Sequence, residues 1–313
     1  TIVYNQDKLT DMLALQIVSR RLEQAARSGG SFLQASVEQQ DVSRSADGTF
    51  VSIIPSNDDW QKALRDVRAI IEDAKAAPPS QAEIDREYAQ MDTALAIQVE
   101  NAPTEAGAKQ ATDLVSAVDI RETTVSPQAA VEIFRAGKPA MTPQKILDST
   151  QRLFSAGVFR AMLVTSKVEP GQDERLAAAV AAPVKAATNA RLSDKPVTMD
   201  DLPNLGAPGT VVSRSQVGLP GMETITFSNG VKLVLFANDA EPEKVRINVR
   251  FGHGQQAFSP VKPVPSWAGG YALMASGIGK LGQRELDELM IGRRMGMNFE
   301  TDDDAFEMQA VTR

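Results

Sequence analysis

Apolar residues first recur at helical spacing from Leu9 to Leu22, through Met12, Leu13 and Ile17. The pattern predicts a helix over Asp11–Arg27, stopped by Gly29-Gly30. Ser31–Gln39 and Thr49–Ile54 then read as two strands joined by the turn-rich Ser45-Ala46-Asp47-Gly48. A second helix opens at Ser56-Asn57-Asp58-Asp59, where Ser56 and Asp59 are spaced as a capping box and Leu64, Val67, Ile70 and Ile71 form a buried stripe. Pro78-Pro79 end it, and Ser80 with Glu83 caps a third helix towards Val99. Two further helices are expected near Thr104–Val118 and Thr142–Ala156, and the continuous apolar run Phe159–Thr165 reads as a buried strand. Helix, strand pair, helices and strand together predict a mixed α+β domain over residues 1–181.

Between residues 182 and 222 the periodicity disappears. Pro183, Pro196, Pro203, Pro208 and Pro220 stand among Gly, Ser, Thr and Asp, the composition of an interdomain linker. A second pattern starts at Glu223. Thr224–Phe227 and Val231–Phe236 flank Ser228-Asn229-Gly230, a strong hairpin signal, and Lys244–Phe251 alternates strictly as a third strand. An apolar helix over Trp267–Ser276, an amphipathic one over Arg284–Arg294 and a hairpin of Met297–Thr301 with Ala305–Thr312 complete the expected elements. The pattern stops mid-strand at Arg313, so residues 223–313 read as the first part of an unfinished domain and the chain as cut at both ends. The unpaired sheet edges of such a unit would favour self-association.

Composition narrows the function classes. With 42% apolar and 23% charged residues, the chain has the makeup of a folded protein. A net charge of −7 without a basic run argues against nucleic acid, and 5% aromatic residues leave little for base stacking. No stretch approaches the roughly 20 apolar residues of a membrane-spanning helix. A single histidine and no cysteine preclude a zinc site built from several histidines or from thiolates, and any thiol nucleophile. Composition leaves the compartment open.

The remaining chemistry is sparse. His253, between Gly252 and Gly254, could act as a base or a ligand, but no partner set stands near it and a polar loop residue is the favoured reading. Asp302-Asp303-Asp304 with Glu300 and Glu307 could hold a hard cation, yet consecutive acids at a hairpin tip are the ordinary makeup of a solvated turn. Glu83, Asp85 and Glu87 suit the start of a helix and need no further role. Ser266 and Ser276 lack the Gly-x-Ser-x-Gly context of a serine hydrolase.

The segment Ile225-Thr226-Phe227-Ser228-Asn229-Gly230-Val231-Lys232-Leu233-Val234-Leu235 resembles the opening hairpin of the insulinase-like zinc metallopeptidases, the group of pitrilysin and the mitochondrial processing peptidases. The strand Lys244–Phe251, the Gly252-His253-Gly254 turn, the helix from Ala268 with its Gly-rich exit to Leu281, the helix from Gln283 to Gly292 and the hairpin Met297–Thr312 follow in the family's order. In the first domain, Ser19-Arg20-Arg21-Leu22 with Ala26-Arg27-Ser28-Gly29-Gly30 resembles the family's helix ending in an Arg-Glu-x-Gly-like turn, with Ser28 where Glu is usual. Trp60–Ile71 and Pro79–Ile84 resemble the helices downstream. The resemblance spans nearly the whole chain except the linker.

What the resemblance implies is specific. These peptidases are built from paired two-layer α+β sandwich domains around a chamber, and one domain carries the inverted motif His-x-x-Glu-His. Its two histidines bind zinc and its glutamate serves as base. Here the matching helix, Ala268–Ser276, places Gly270, Leu273 and Met274 near the three motif positions, so no catalytic, cofactor or metal residue is expected. The resemblance implies a non-catalytic segment forming chamber wall and hinge, predicted inactive by itself. Zinc belongs to the catalytic domain of the full-length protein, and the partners are a peptide substrate and the remaining domains. It favours a bacterial periplasm or cell envelope. A catalytically dead scaffold or peptide-binding protein of the same fold is the alternative.

Overall fold

A computed structural model describes residues 2–41, 45–119, 121, 123–155, 157–166, 169–188, 191, 197–237, 239, 244–259, 261–262, 264–291, 293 and 295–312, with main chain alone at 2–6, 274 and 284. The chain divides into two compact units, Thr1–Pro196 and Val197–Arg313.

In the first unit the long helix α1 (Ile2–Arg27) begins nine residues before the expected start at Asp11, and it is the axis of packing. Leu13, Ala14 and Ile17 join one core cluster with Ile84, Phe134 and Ile146. Val18 and Leu22 join the other, with Phe32, Val67 and Ile70. Two apolar stripes on one helix therefore organise two cores. The hairpin β1 (Phe32–Asp41) and β2 (Asp47–Pro55) packs its Phe32, Ala35 and Val37 against the second cluster. Helix α2 (Trp60–Ala76) follows, capped by Asp59, whose side chain accepts from the Lys62 N–H. Ser56 is not the cap, because the helix starts one turn later than its position requires. Helix α3 (Gln81–Asn101) has the expected capping box of Ser80 and Glu83. Then come α4 (Gly107–Asp119), α5 (Pro127–Gly137), α6 (Pro143–Leu153) and α7 (Gln172–Ala181). The sequence pattern missed α5 and α7; α5 is a short helix opened by Ser126 with proline in its first turn.

Phe159–Thr165 is a correction. The run forms no strand, and Phe159, Met162 and Val164 are 69%, 87% and 83% exposed. β-structure needs a hydrogen-bonding neighbour as well as apolar side chains, and among the described residues the sheet of this unit contains only β1 and β2.

Among the described residues the second unit holds two antiparallel sheets. In the first, β3 (Val211–Gln216) pairs with β4 (Met222–Phe227), which pairs with β5 (Lys232–Phe236) across the expected Asn229-Gly230 turn. β3 lies inside the segment expected to be an aperiodic linker. Its six residues are all exposed, so main-chain pairing and not burial defines it, and no apolar alternation announces it. The second sheet has the order β6-β8-β7, from β6 (Val245–Phe251), β7 (Met295–Thr301) and β8 (Phe306–Thr312). Between β6 and β7 run α8 (Ser266–Ser276) and α9 (Gln283–Met290). The fold is mixed α+β, as expected.

Candidate functional site

Helix α8 is the one that the sequence resemblance aligned with the zinc motif, and its surroundings follow from two glycines and one strand register. Gly277, at φ 86°, ends α8; a Cβ there would collide with the Leu281 carbonyl. Gly270 faces β7, where a Cβ would stand 3.1 Å from the Phe299 carbonyl oxygen. Glycine is thus what permits this close helix–strand approach.

Among the described residues β7 is an edge strand. The Asp302 N–H donates to the Ala305 carbonyl at 2.9 Å across the hairpin turn. Alternation along an antiparallel ladder then assigns the exchanged pairs to Glu300 with Glu307 and Asn298 with Gln309. The main-chain groups of Met297, Phe299 and Thr301 consequently face the free edge, where α8 meets the Phe299 carbonyl. A groove of about 610 Å³ lies between the two elements, lined by Trp267, Gly270 and Tyr271 of α8 and by Asn298–Thr301 of β7. Gln255 and Ser266 also line it, with Gln255 Nε2 donating to Ser266 Oγ at 3.1 Å. Trp267 and Tyr271, one helical turn apart, are 77% and 79% exposed. A smaller groove of about 330 Å³ lies between α1 and β1.

The donor set of α8 does not fit zinc. Gly270 and Leu273 have no ligand atom, and Met274 lies where the side chain is not described. Among the described residues no group of three or more His, Asp or Glu side chains is placed to hold a metal ion. His253 is exposed and precedes the short 3₁₀ turn Gly254–Ala257, away from any such group.

The acidic hairpin tip is held by protein groups. Arg250 reaches Asp304 at 2.9 Å and Glu307 at 2.6 Å. The N–H groups of Gln255 and Gln256 donate to the Asp302 and Asp303 carbonyls at 2.8 and 3.2 Å. Gly254, at φ 52°, allows that contact, since a Cβ would collide with the Asp302 carbonyl.

Glu83 and Glu87 need a larger role than the helix dipole. Arg21, 2% exposed, sends Nε and Nη2 to the Glu83 carboxylate at 3.0 and 3.1 Å and Nη1 to Asp73 at 3.4 Å. Arg20 donates to Glu87 at 3.1 Å and also to Gln90. Burial pushes the Glu87 carboxyl above its ordinary value, outweighing the opposing attraction of Arg20. This network ties α1 to α2 and α3. The adjacent Arg20-Arg21 in the helix was its signal in the sequence.

No family model matches the sequence, and no curated protein does. Among solved structures, a mutant of the ferredoxin protease FusC in complex with Arabidopsis ferredoxin matches at TM-score 0.52 and 13% identity, over 98% of this chain and 35% of FusC. The chain has the fold of a pitrilysin-type protease segment. The periplasmic protease PqqL from Escherichia coli aligns at TM-score 0.45 and 15% identity, over 98% of this chain and 34% of PqqL. A structure of the first half of PqqL aligns at TM-score 0.46 and 15% identity, over 50% of this chain and 34% of that one. The chain thus spans about a third of the length of the first two proteases. No helix among the described residues is long and apolar enough to cross a membrane.

Proposed function

We propose that this chain is a non-catalytic segment of a pitrilysin-type zinc peptidase, contributing chamber wall and hinge, and that it holds an extended peptide along the free edge of β7 without cutting it. The observation that carries the reading is α8 itself. In the resemblance drawn from the sequence, Gly270 and Leu273 of this helix fall near the positions of a ligand and a base, and neither side chain can bind zinc or take a proton. Beside it, the outward main-chain groups of Met297 and Thr301, flanking the Phe299 carbonyl that α8 covers, can pair with an added strand, which gives affinity without demanding a particular sequence. Trp267 and Tyr271 supply flat apolar contact for its side chains. Zinc and the catalytic base would come from another domain of the full-length protein, and the peptide substrate would reach both.

Trp267 makes the groove testable. The other tryptophan is Trp60, so a W60F background isolates its emission. Titrating extended peptides should shift Trp267 fluorescence, and T301P, which removes an outward N–H and no ladder bond, should weaken binding about tenfold. Unchanged affinity in T301P would refute edge pairing. Peptide cleavage by the chain alone would refute the non-catalytic reading.

A further inference from the structure

Ala179, Ala187 and Arg191 each contact α2 in the first unit. Arg68 Nη1 donates to the Ala179 carbonyl at 2.8 Å. The Ala187 N–H donates to the Ala69 carbonyl at 2.9 Å, and the Ala187 side chain packs against the core cluster that contains Val67 and Ile70. One turn further along α2, Arg191 closes on Asp73, with Nε at 3.0 Å from Oδ2 and Nη2 at 2.9 Å from Oδ1. Three attachments therefore fall in order at positions 68, 69 and 73. By composition, residues 182–222 read as linker; the contacts fasten Ala187 and Arg191 to the first unit.

Asp73 is 1% exposed and is shared between two guanidinium groups. Arg21, the inner one, is already engaged in a two-pronged pair with Glu83 and reaches Asp73 at 3.4 Å. Arg191, the outer one, makes the shorter contacts to Asp73 and keeps 44% of its side chain exposed. A buried carboxylate is costly without a partner, whereas an arginine at the surface can leave for water. The pair is thus asymmetric: the acid cannot move out, and the base can.

We propose that residues 172–188 with Arg191 form a strap on the first unit and that Arg191 with Asp73 is its latch, which sets where the connection to the second unit begins. With the latch closed the connection starts after Arg191. With it open, Ala187 detaches and the connection lengthens back towards Ala182. The device controls linker length without unfolding either core.

Amide hydrogen exchange on the whole chain tests this. In Arg191→Ala, exchange at Ala187 should accelerate about tenfold while Val67 and Ile70 of α2 keep their protection, the behaviour of a local opening. Tryptic cleavage after the exposed Lys185 should rise by a similar factor. Arg191→Lys, which keeps the charge and loses the fork, should fall between the two. Equal acceleration at Ala187, Val67 and Ile70 would make Arg191 an ordinary contributor to global stability and overturn the latch. No acceleration at Ala187 would overturn it as well. Arg68→Ala is the control at the other end of the strap: it should speed exchange near Ala179 more than at Ala187.

Discussion

At the scale of the residue, the strongest determinants are buried charges. Arg21 is nearly inaccessible and faces two carboxylates, so Arg21→Ala leaves Asp73 and Glu83 buried without their inner partner. We expect urea denaturation of the first unit to show a loss of about 3–5 kcal/mol. A loss below about 1 kcal/mol would mean that water replaces the guanidinium. Glu87 gives a pH prediction of definite sign. Its folded pKa is raised, so the folded state binds a proton more readily than the unfolded chain, and this contribution to stability grows as pH falls through the raised value. The stability of the wild type relative to E87Q should therefore improve on acidification from neutrality towards pH 4.5, the group's ordinary value. A constant difference would contradict the burial assigned to Glu87. The sequence disclosed the cap made by Ser80 and Glu83, because that interaction is local. It could not disclose that Glu83 also grips Arg21, 62 residues away, since a charge on a helix looks the same whether its partner is water or a guanidinium.

At the scale of the element, legibility followed how much of each element's stability is local. Asn229-Gly230 marked its hairpin, and the apolar stripe Val67, Ile70 and Ile71 marked α2, because turn chemistry and periodicity are written in neighbouring residues. β3 was invisible, being an exposed, largely polar strand held by its pairing with β4. Phe159–Thr165 erred in the opposite direction, with strand-forming residues and no neighbour. M162K should accordingly change stability by less than about 0.5 kcal/mol, whereas a charge in a buried strand would cost several times that. Thermal denaturation distinguishes the two. For α8, the residue types Gly270 and Leu273, neither with a ligand atom, could be read directly. The groove beside it could not, because it depends on β7 being an edge strand and on the distance from Gly270 to Phe299. G270V should push α8 away from that carbonyl, cost about 1–3 kcal/mol and abolish the Trp267 response to peptide. An intact response would place peptide elsewhere.

At the scale of the molecule, two units of mixed α+β architecture match a third of a much longer protease in fold, at an identity too low to carry over activity. On the proposed reading the chain contributes walls, a connection and a peptide edge, and leaves the chemistry to another domain. The second sheet presents one face on which Val245, Ile247, Val249, Met295 and Met297 are 40–54% exposed, and β7 keeps a free edge beside it. Self-association in sedimentation velocity, reduced by T301P, is the expected consequence at high concentration. A strictly monomeric chain would show that α8 protects the edge sufficiently. The most direct test of the central claim is metal analysis of the purified chain after equilibration with zinc, run beside a peptide-hydrolysis assay. The account predicts substoichiometric zinc and no cleavage; one tightly held zinc per chain with peptide hydrolysis would contradict it.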